Sequence, residues 1–406
     1  MVRSGYKQTK IGIIPEDWNV DAIKNVTPTG MKYGIVDGPF GSNLKTIHYK
    51  SKGIPIITSG YVTEGSFYAK EYLYVTEKKF KQEKRSAVRG GDIVMAKIGA
   101  RCGASAILPK KHTEGILSGN ALKITIDENR HNTYFVWQLL WDLYTRKKLD
   151  DITTVGAQPA ISMANLKEYF IPLPATLDEQ NMIAQTLSDV DGVIDALEKQ
   201  IAKKRDIKTA TMQQLLTGKK RLPGFGDNWN CFHLDDLFDI TAGKDLVKNK
   251  YSPTIGDNHP YPIYANSIFD KGIYGYSSFY ENEEQCVTIS ARGTLGVAFY
   301  RPSKFVAIGR LLVLKPVMKI NSYFVSEVIN HTIEFASEST GVPQLTAPQC
   351  AKYQIYIPEL SEQNAIAKIL WEMDKEVDAL NSKLSKTNAI KQGMMQELLT
   401  GRTRLI

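Results

Sequence analysis

Apolar residues recur along two stretches of the chain at alternating spacings of four and three. One stretch runs through Ile183, Leu187, Val190, Ile194, Leu197, Ile201, Lys204, Lys208, Thr211 and Leu215. The other runs through Ile366, Leu370, Met373, Val377, Leu380, Leu384, Thr387, Lys391, Met394 and Leu398. A period near 3.5 residues puts these positions on one narrow stripe of an α-helix, with charged residues on the other faces. That pattern suits two helices packed along a shared seam better than a helix lying on its own domain. Leu187, Val190, Ile194, Leu197 and Ile201 form the centre of the first seam, and Leu370, Met373, Val377, Leu380 and Leu384 that of the second. No proline interrupts either stretch, and Thr-Gly at 217–218 and 400–401 supplies a glycine stop. About 39 residues at 1.5 Å each make a rod of roughly 58 Å. The polar members Thr387, Lys391, Lys204 and Lys208 predict a seam that loosens toward its C-terminal third, or meets another protein there.

Elsewhere the pattern changes. Residues 19–131 and 230–320 carry short β-like runs such as "GIPIITSG", "GDIVMAKIG", "CVTISARG" and "RLLVLKP", punctuated by Gly and Pro. Only 133–149 and 322–336 read as helical there. The expected fold class is α+β: two mixed α/β globular domains separated by two long helices.

The two halves are also written alike. Residues 177–222 match 360–405 without a gap at 22 of 46 positions, from "LDEQN" and "LSEQN" to "LLTGKKRL" and "LLTGRTRL". Self-similarity at this level means a duplicated unit. It extends faintly upstream: "NTYFVWQLL" (132–140) faces "NSYFVSEVI" (321–329), and "TVGAQPAIS" (154–162) faces "STGVPQLTA" (339–347). "PEDWNV" faces "GDNWNC". The repeats then run from Trp18 to Leu222 and from Trp229 to Leu405, with the "LLTG" phrase as terminator. The expected domains are 1–152 and 223–338, each followed by a Gly/Gln/Pro loop and a long helix, 153–222 and 339–406.

Charge sharpens this picture. The net charge is +8 over 406 residues. Residues 1–152 hold 24 Lys+Arg against 15 Asp+Glu, whereas 223–345 hold 10 against 13. An anionic partner fits the first domain, but in the second any such surface must be a local patch. No run of eighteen apolar residues exists, so no membrane span is expected, and "MVRSGYKQTKIGIIPEDW" lacks the apolar core of a signal peptide. Cys102, Cys231, Cys286 and Cys350 lie far apart with no CxxC spacing. That argues against a metal site or disulfide framework and fits a reducing, cytoplasmic setting.

Motifs for catalysis are not found. There is no GxxxxGK[ST], and "TAGKDL" (241–246) imitates it poorly; GxGxxG, HExxH, GxSxG and an Asn/Asp-Pro-Pro-aromatic run are absent. No catalytic residue and no cofactor is assigned. What remains is contact chemistry. "GPFGSNLKTIHYKSKG" (38–53) offers Ser42, Asn43, Lys45 and Lys50, and "AKIGARCG" (96–103) puts Lys97 and Arg101 in a glycine-rich turn. The matching turn "SARGTLG" (290–296) carries Arg292. "ILSGNALKI" (116–124) matches "VAIGRLLVL" (306–314), setting Asn120 opposite Arg310, and Lys271 lies in the tyrosine-rich "YPIYANSIFDKGIYGYSSFY" (261–280). Arg and Lys read guanine edges, Asn reads adenine, and lysines near glycine turns suit phosphates. Solvated loop residues and a tyrosine-filled β core are the plainer alternatives.

The paired "EQN…LLTG" blocks, behind a "GAQPAIS"-like loop and a "GDIVMAKIG"-like strand, resemble the specificity (S) subunit of type I restriction–modification systems over essentially the whole chain. The resemblance implies two target recognition domains, each reading half of a bipartite double-stranded DNA target. It implies that the long helices form an antiparallel coiled coil with a pseudo-twofold; periodicity alone leaves parallel and antiparallel open. It further implies partners: two methyltransferase (M) subunits using S-adenosylmethionine, and restriction (R) subunits, so that catalysis lies in other chains. A rod of roughly 58 Å corresponds to about 17 base pairs, and helix length would then set the spacer. The competing readings are a coiled-coil scaffold displaying two domains for ligands other than DNA, and an enzyme with an unfamiliar site.

Overall fold

The computed structural model describes residues 3–405 apart from 64, 155, 157 and 336–343. The chain forms two compact units, Met1–Ala196 with Leu384–Ile406, and Leu197–Lys383. Most of the second Gly/Gln/Pro loop, 339–343 of 339–347, lies outside the described residues.

In the first unit an antiparallel sheet has the order Ser105–Ile107, Ile93–Ala96, Ala121–Ile124, Ile35–Asp37. A second sheet has the order Tyr74–Val75, Ile54–Ile57, Gly115–Leu117, Ala87–Val88, and its central pair is parallel. The strands Ile93–Ala96 and Ala121–Ile124 are buried along their whole length, which is why they read as continuous apolar runs rather than as alternation. The helix Thr133–Thr145 lies on the first sheet. Asn132 caps it by accepting from the Phe135 N–H, and Phe135, Val136, Leu139 and Leu140 face the core.

The second unit repeats the strand order of the antiparallel sheet with little shared sequence, but its other sheet is arranged differently, with the parallel pair at the edge rather than in the middle. Its antiparallel sheet has the order Ala298–Arg301, Cys286–Ile289, Leu312–Pro316, Phe238–Ala242. Its other sheet again contains one parallel pair, Tyr261–Tyr264 with Val306–Ala307. The helix Ser322–Thr332 is capped by Asn321 as the earlier one is by Asn132.

The two long helices span Leu177–Leu215 and Leu360–Leu398, 39 residues each. Each unit contains the N-terminal half of one and the C-terminal half of the other. In the first unit Glu179 meets Arg404 and Asp191 meets Lys391, so numbers rise along one partner as they fall along the other. In the second unit Lys204 meets Glu376, Lys208 meets Asp374 and Arg221 meets Glu362. The pair is an antiparallel coiled coil. Leu187, Leu197, Ile201 and Leu370 are buried, while Val190, Ile194, Met373, Val377, Leu380 and Leu384 are half-buried. Near its ends each helix joins a domain core: Ile183 and Leu187 pack with Met395, Leu398 and Leu399 in the first, and Leu215 and Leu216 with Ile366 and Leu370 in the second. Seam and domain core are thus successive duties of one stripe.

Two expectations change here. The lysines in the seam do not loosen it. Lys391 Nζ lies 2.6 Å from Asp191 Oδ1, and Lys208 Nζ lies 2.6 Å from Asp374 Oδ1. The same carboxylates accept from Tyr134 and Tyr323, giving one Tyr–Asp–Lys pin in each unit. Burial raises both tyrosine hydroxyls well above their usual range, and the adjacent carboxylates add to the shift. Nor does the terminal phrase close its own repeat. "LLTGRTRL" packs into the first unit and "LLTGKKRL" into the second. Gly401 sits in a left-handed conformation (φ 69°) beside Trp18, and Gly218 (φ 67°) beside Trp229. A Cβ on Gly401 would stand 2.5 Å from Pro15 Cδ, so the helix end requires glycine for both backbone and space.

The shared "EQN" triplet now has a physical reason. Glu179, with its side chain 3 % exposed, accepts from the Arg404 guanidinium, at 2.9 Å for Nη2, and from Trp18 Nε1 at 3.1 Å. Glu362, 2 % exposed, accepts from Arg221 Nε at 2.8 Å and Nη2 at 2.6 Å. Gln180 and Gln363 accept from the backbone N–H of the capping residues Asn132 and Asn321. Asn181 and Asn364 accept from the side-chain amides of those same two residues. Each triplet therefore bolts a long helix to the start of a domain helix and to the other long helix's end.

Candidate nucleic-acid interface

In the first unit several loops meet at one sheet end. The Lys97 N–H donates to Asn120 O (2.9 Å), Gly38 N–H to Ala121 O (3.0 Å) and Ile161 N–H to Lys97 O (2.9 Å). The Asn120 side-chain oxygen accepts from Ser59 N–H at 3.4 Å and from the Ser118 hydroxyl. Arg101 Nη1 donates to Val62 O at 3.0 Å, which ties the "AKIGARCG" turn to the neighbouring hairpin. Lys97, Arg101 and Asn120, separated in sequence, are therefore brought together, and the last two are exposed. Lys97 is already engaged: its ammonium lies 2.6 Å from Asp37 Oδ2 and 4.2 Å from the Phe40 ring centre, with the side chain 13 % exposed. Its presented neighbour is Phe40, 43 % exposed.

Ser42 and Asn43 belong to the 3-10 turn Gly41–Asn43 that follows; the Ser42 side chain lies outside the described residues, and Asn43 is exposed. Lys45 is exposed beside His48, whose Nδ1 accepts from the Lys45 N–H at 3.0 Å. Lys50 stands apart from this cluster, paired through its backbone to Tyr74 and lining a hollow with Tyr49, Lys70 and Tyr72.

The second unit builds the corresponding place. Gly243 N–H donates to Leu311 O (2.7 Å), as Gly38 does to Ala121, and Leu345 N–H donates to Ala291 O (3.0 Å), as Ile161 does to Lys97. Leu345 thus stands where Ile161 does, one residue away from the Thr346 that the sequence pairing sets opposite it. Arg310 follows Gly309 as Asn120 follows Gly119 and both are exposed, but the corners differ in backbone: Gly309 and Arg310 hold positive φ (65° and 69°) where Gly119 and Asn120 do not. Arg292 is exposed on the adjacent turn, its backbone bridged to Gln344. Lys271 is exposed on a separate tip, in a left-handed conformation (φ 50°).

Two residues that sequence reasoning passed over complete the site. Asn266 donates from Nδ2 to Gly309 O at 2.5 Å and accepts at Oδ1 from Ala291 N–H at 2.7 Å, so it staples the Arg310 and Arg292 turns together. Lys244, within the poor phosphate-loop imitation, stands 74 % exposed, 3.3 Å from Glu281. Its backbone joins both sides of the Ala307–Gly309 turn. Local composition did not mark Asn266 and marked Lys244 only as part of "TAGKDL"; their hydrogen bonds give them their place. Of the tyrosine-rich stretch, Tyr264 is core against Phe305, whereas Tyr274 and Tyr280 are exposed. Among the described residues no group of His, Cys, Asp and Glu could hold a metal, and no helix is long and apolar enough to cross a membrane.

Comparison with known proteins gives this geometry a setting. The family model described as "Type I restriction modification DNA specificity domain" matches twice, at residues 15–204 and 226–392. A putative type I restriction enzyme MjaX specificity subunit of Methanocaldococcus jannaschii is 26 % identical over 98 % of this chain and 97 % of its own length. A putative type I specificity subunit of Mycoplasma pneumoniae is 28 % identical over 54 % of this chain and 59 % of its own. The crystal structure of a type I restriction-modification system S subunit from M. genitalium superimposes with a TM-score of 0.64 at 17 % identity, covering 94 % of this chain and 96 % of that one. A chain from a study of complex assembly and conformational transition of the type I R-M system gives 0.55 at 16 % identity, covering 96 % and 99 %.

Proposed function

The chain belongs to the type I restriction modification DNA specificity family, and on that premise we propose how it divides its work. It is the sequence-specific DNA-recognition subunit of such a system. The recognition domains, 1–152 and 223–338, each read one half of a split duplex target through the loop ends around Asn120 and Arg310. The observation that carries this reading is the duplicated loop cluster: matched strand ends carry unlike side chains, Asn120 and Arg101 in one unit, Arg310 and Arg292 in the other, and the corner itself differs, since Gly309 and Arg310 turn to positive φ (65° and 69°) where Gly119 and Asn120 do not. A conserved scaffold with changed tips is what two different half-sites require, since Asn suits adenine and Arg suits guanine. Asn43, Lys45, Lys50 and Lys271, with the Ser42 position, serve phosphates and register rather than base identity.

The chain carries no chemistry of its own in this reading. Two M subunits, which use S-adenosylmethionine, and R subunits of the full complex supply methylation and cleavage in the cytoplasm. Long-helix length sets the spacing of the half-sites, so matched deletions in both helices change the spacer and leave each half-site intact. The decisive experiment is a genome-wide methylation profile of the host with and without this chain. A bipartite methylated motif that disappears with the chain is expected; an unchanged profile despite an active M subunit rejects the reading.

A further inference from the structure

The segment 265–272 of the second unit presents an apolar tip. Phe269 is 81 % exposed and Ile268 beside it 42 %. Single exposed apolar residues occur elsewhere on the surface, such as Ile47 and Ile255, but here two adjacent ones share one rigid loop end.

The tip is not a loose loop. Ala265 N–H donates to Gly272 O (2.9 Å), and Phe269 N–H donates to the Ser267 hydroxyl (3.2 Å). Asp270 and Lys271 both hold left-handed conformations, at φ 47° and 50°; Asp tolerates this region, but for Lys it is uncommon and the surroundings hold it here. Two anchors do so. Asn266 staples one end of the tip to Ala291 and Gly309, the residues just before Arg292 and Arg310. At the other end Arg301 Nη2 donates to Lys271 O at 2.8 Å while Nε donates to Thr288 Oγ1 at 2.8 Å.

Arg301 is 2 % exposed, and among the described residues its side chain meets Tyr264 rather than a carboxylate. Its guanidinium lies 3.5 Å from the Tyr264 ring centre and 5.1 Å from that of Phe299. Burial draws it down to about 10, so it remains charged at neutral pH. The tip therefore rests on a buried cation held by Thr288, the Lys271 carbonyl and the Tyr264 ring, has Glu327 near Lys271, and adjoins turns carrying Arg292 and Arg310. Asp270 is the one acid within 265–272. An apolar wedge framed by cations fits a partner with charged flanks and apolar stacked faces, which is duplex DNA.

We propose that Phe269, supported by Ile268, is a stacking wedge that presses into or against a base step at the half-site read by the second unit. This rests on the DNA reading above and adds a contact to it. The wedge gives the acidic second domain an affinity term that does not depend on phosphate attraction. Aromatic wedges and stacking platforms act in this way, unstacking one step and replacing its lost contact.

The test uses the full chain with its M subunit and a 2-aminopurine-labelled duplex carrying the methylated motif, the label moved step by step through the second half-site. Wild type is expected to raise fluorescence at one step. Phe269→Ala abolishes that rise and weakens binding on the order of tenfold to a hundredfold with an unchanged salt slope, and Phe269→Trp retains both properties. Because Phe269 is exposed, the alanine variant removes no core contact. Wild-type affinity and fluorescence in Phe269→Ala overturn the wedge alone. Loss of M-subunit retention in Phe269→Ala without DNA assigns the tip to a protein contact and also overturns it. Failure of wild type to prefer the motif over a scrambled duplex overturns the DNA reading as well.

Discussion

The two units share an antiparallel sheet and its capped helix but reach an anionic partner by different means. The first lies in the basic part of the chain: residues 1–152 carry 24 cations against 15 acids, and exposed Asn43, Lys45 and Arg101 flank its loop cluster. The globular part of the second, 223–345, holds 13 acids against 10 cations, and it concentrates Arg292 and Arg310 on turns stapled by Asn266, with Lys244 bonded to the Ala307–Gly309 turn. The pins differ as well. In the first unit Glu179 is held by Arg404, itself bound to Asp17, and by Trp18 Nε1. In the second Glu362 is held by Arg221, and Trp229 Nε1 is buried without a partner. Duplication preserved the scaffold while each copy found its own electrostatic balance.

The strongest test of that shared scaffold is Leu187→Ala against Leu370→Ala, equivalent positions both fully buried. Each is expected to cost about 2–5 kcal/mol and, in scanning calorimetry, to lower the transition of its own unit. Equal movement of both transitions would show that the units unfold as one.

Next come the arginine pins. Arg221→Ala is expected to lower the melting temperature of the second unit more than Arg404→Ala lowers that of the first. Glu179 keeps the Trp18 indole N–H when its arginine is lost, whereas Glu362 keeps no comparable donor from Trp229. Thermal melts of both variants check the order; a larger loss with Arg404→Ala breaks the comparison.

Salt titration of DNA binding sharpens the contrast in recognition. Arg310→Ala is expected to lower the slope of log affinity against log salt by about one if Arg310 meets phosphate. It relaxes preference at one base with the slope kept if Arg310 reads guanine, as proposed. Asn120→Ala, which removes no charge, leaves the slope unchanged and relaxes one position of the other half-site.

The smallest effect is pH-dependent. Burial of His131, assisted by the Arg130 charge, holds its imidazole below the usual 6.5, and neither ring nitrogen has a partner. The folded state therefore takes up a proton less readily than the unfolded one. Stability of the first unit is full above pH 6.5 and declines as pH falls from there toward the lower folded value. The second unit has Ile320 at the equivalent place, before Asn321. His131→Ile should flatten this part of the first unit's pH profile, as measured by urea midpoints between pH 5 and 8; an unchanged slope rejects the assignment.

Sequence alone determined the helical stripe, the duplication and the family resemblance, because each is local or a direct comparison of one stretch with another. A 3.5-residue period demands a seam whatever the partner, and "EQN…LLTG" written twice demands two equivalent environments. It could not show that Lys391 and Lys208 are pins rather than weak points, since their carboxylates stand on the other long helix, far away in sequence. Nor could it show that Lys97 is held by Asp37, that Asn266 staples two basic turns, or that Arg301 supports a tip thirty residues earlier. Only the tertiary structure decided which unit each "LLTG" phrase closes. The antiparallel pairing carries each helix end to the other repeat's tryptophan, and buried carboxylates are stable there only because that end delivers an arginine to meet them.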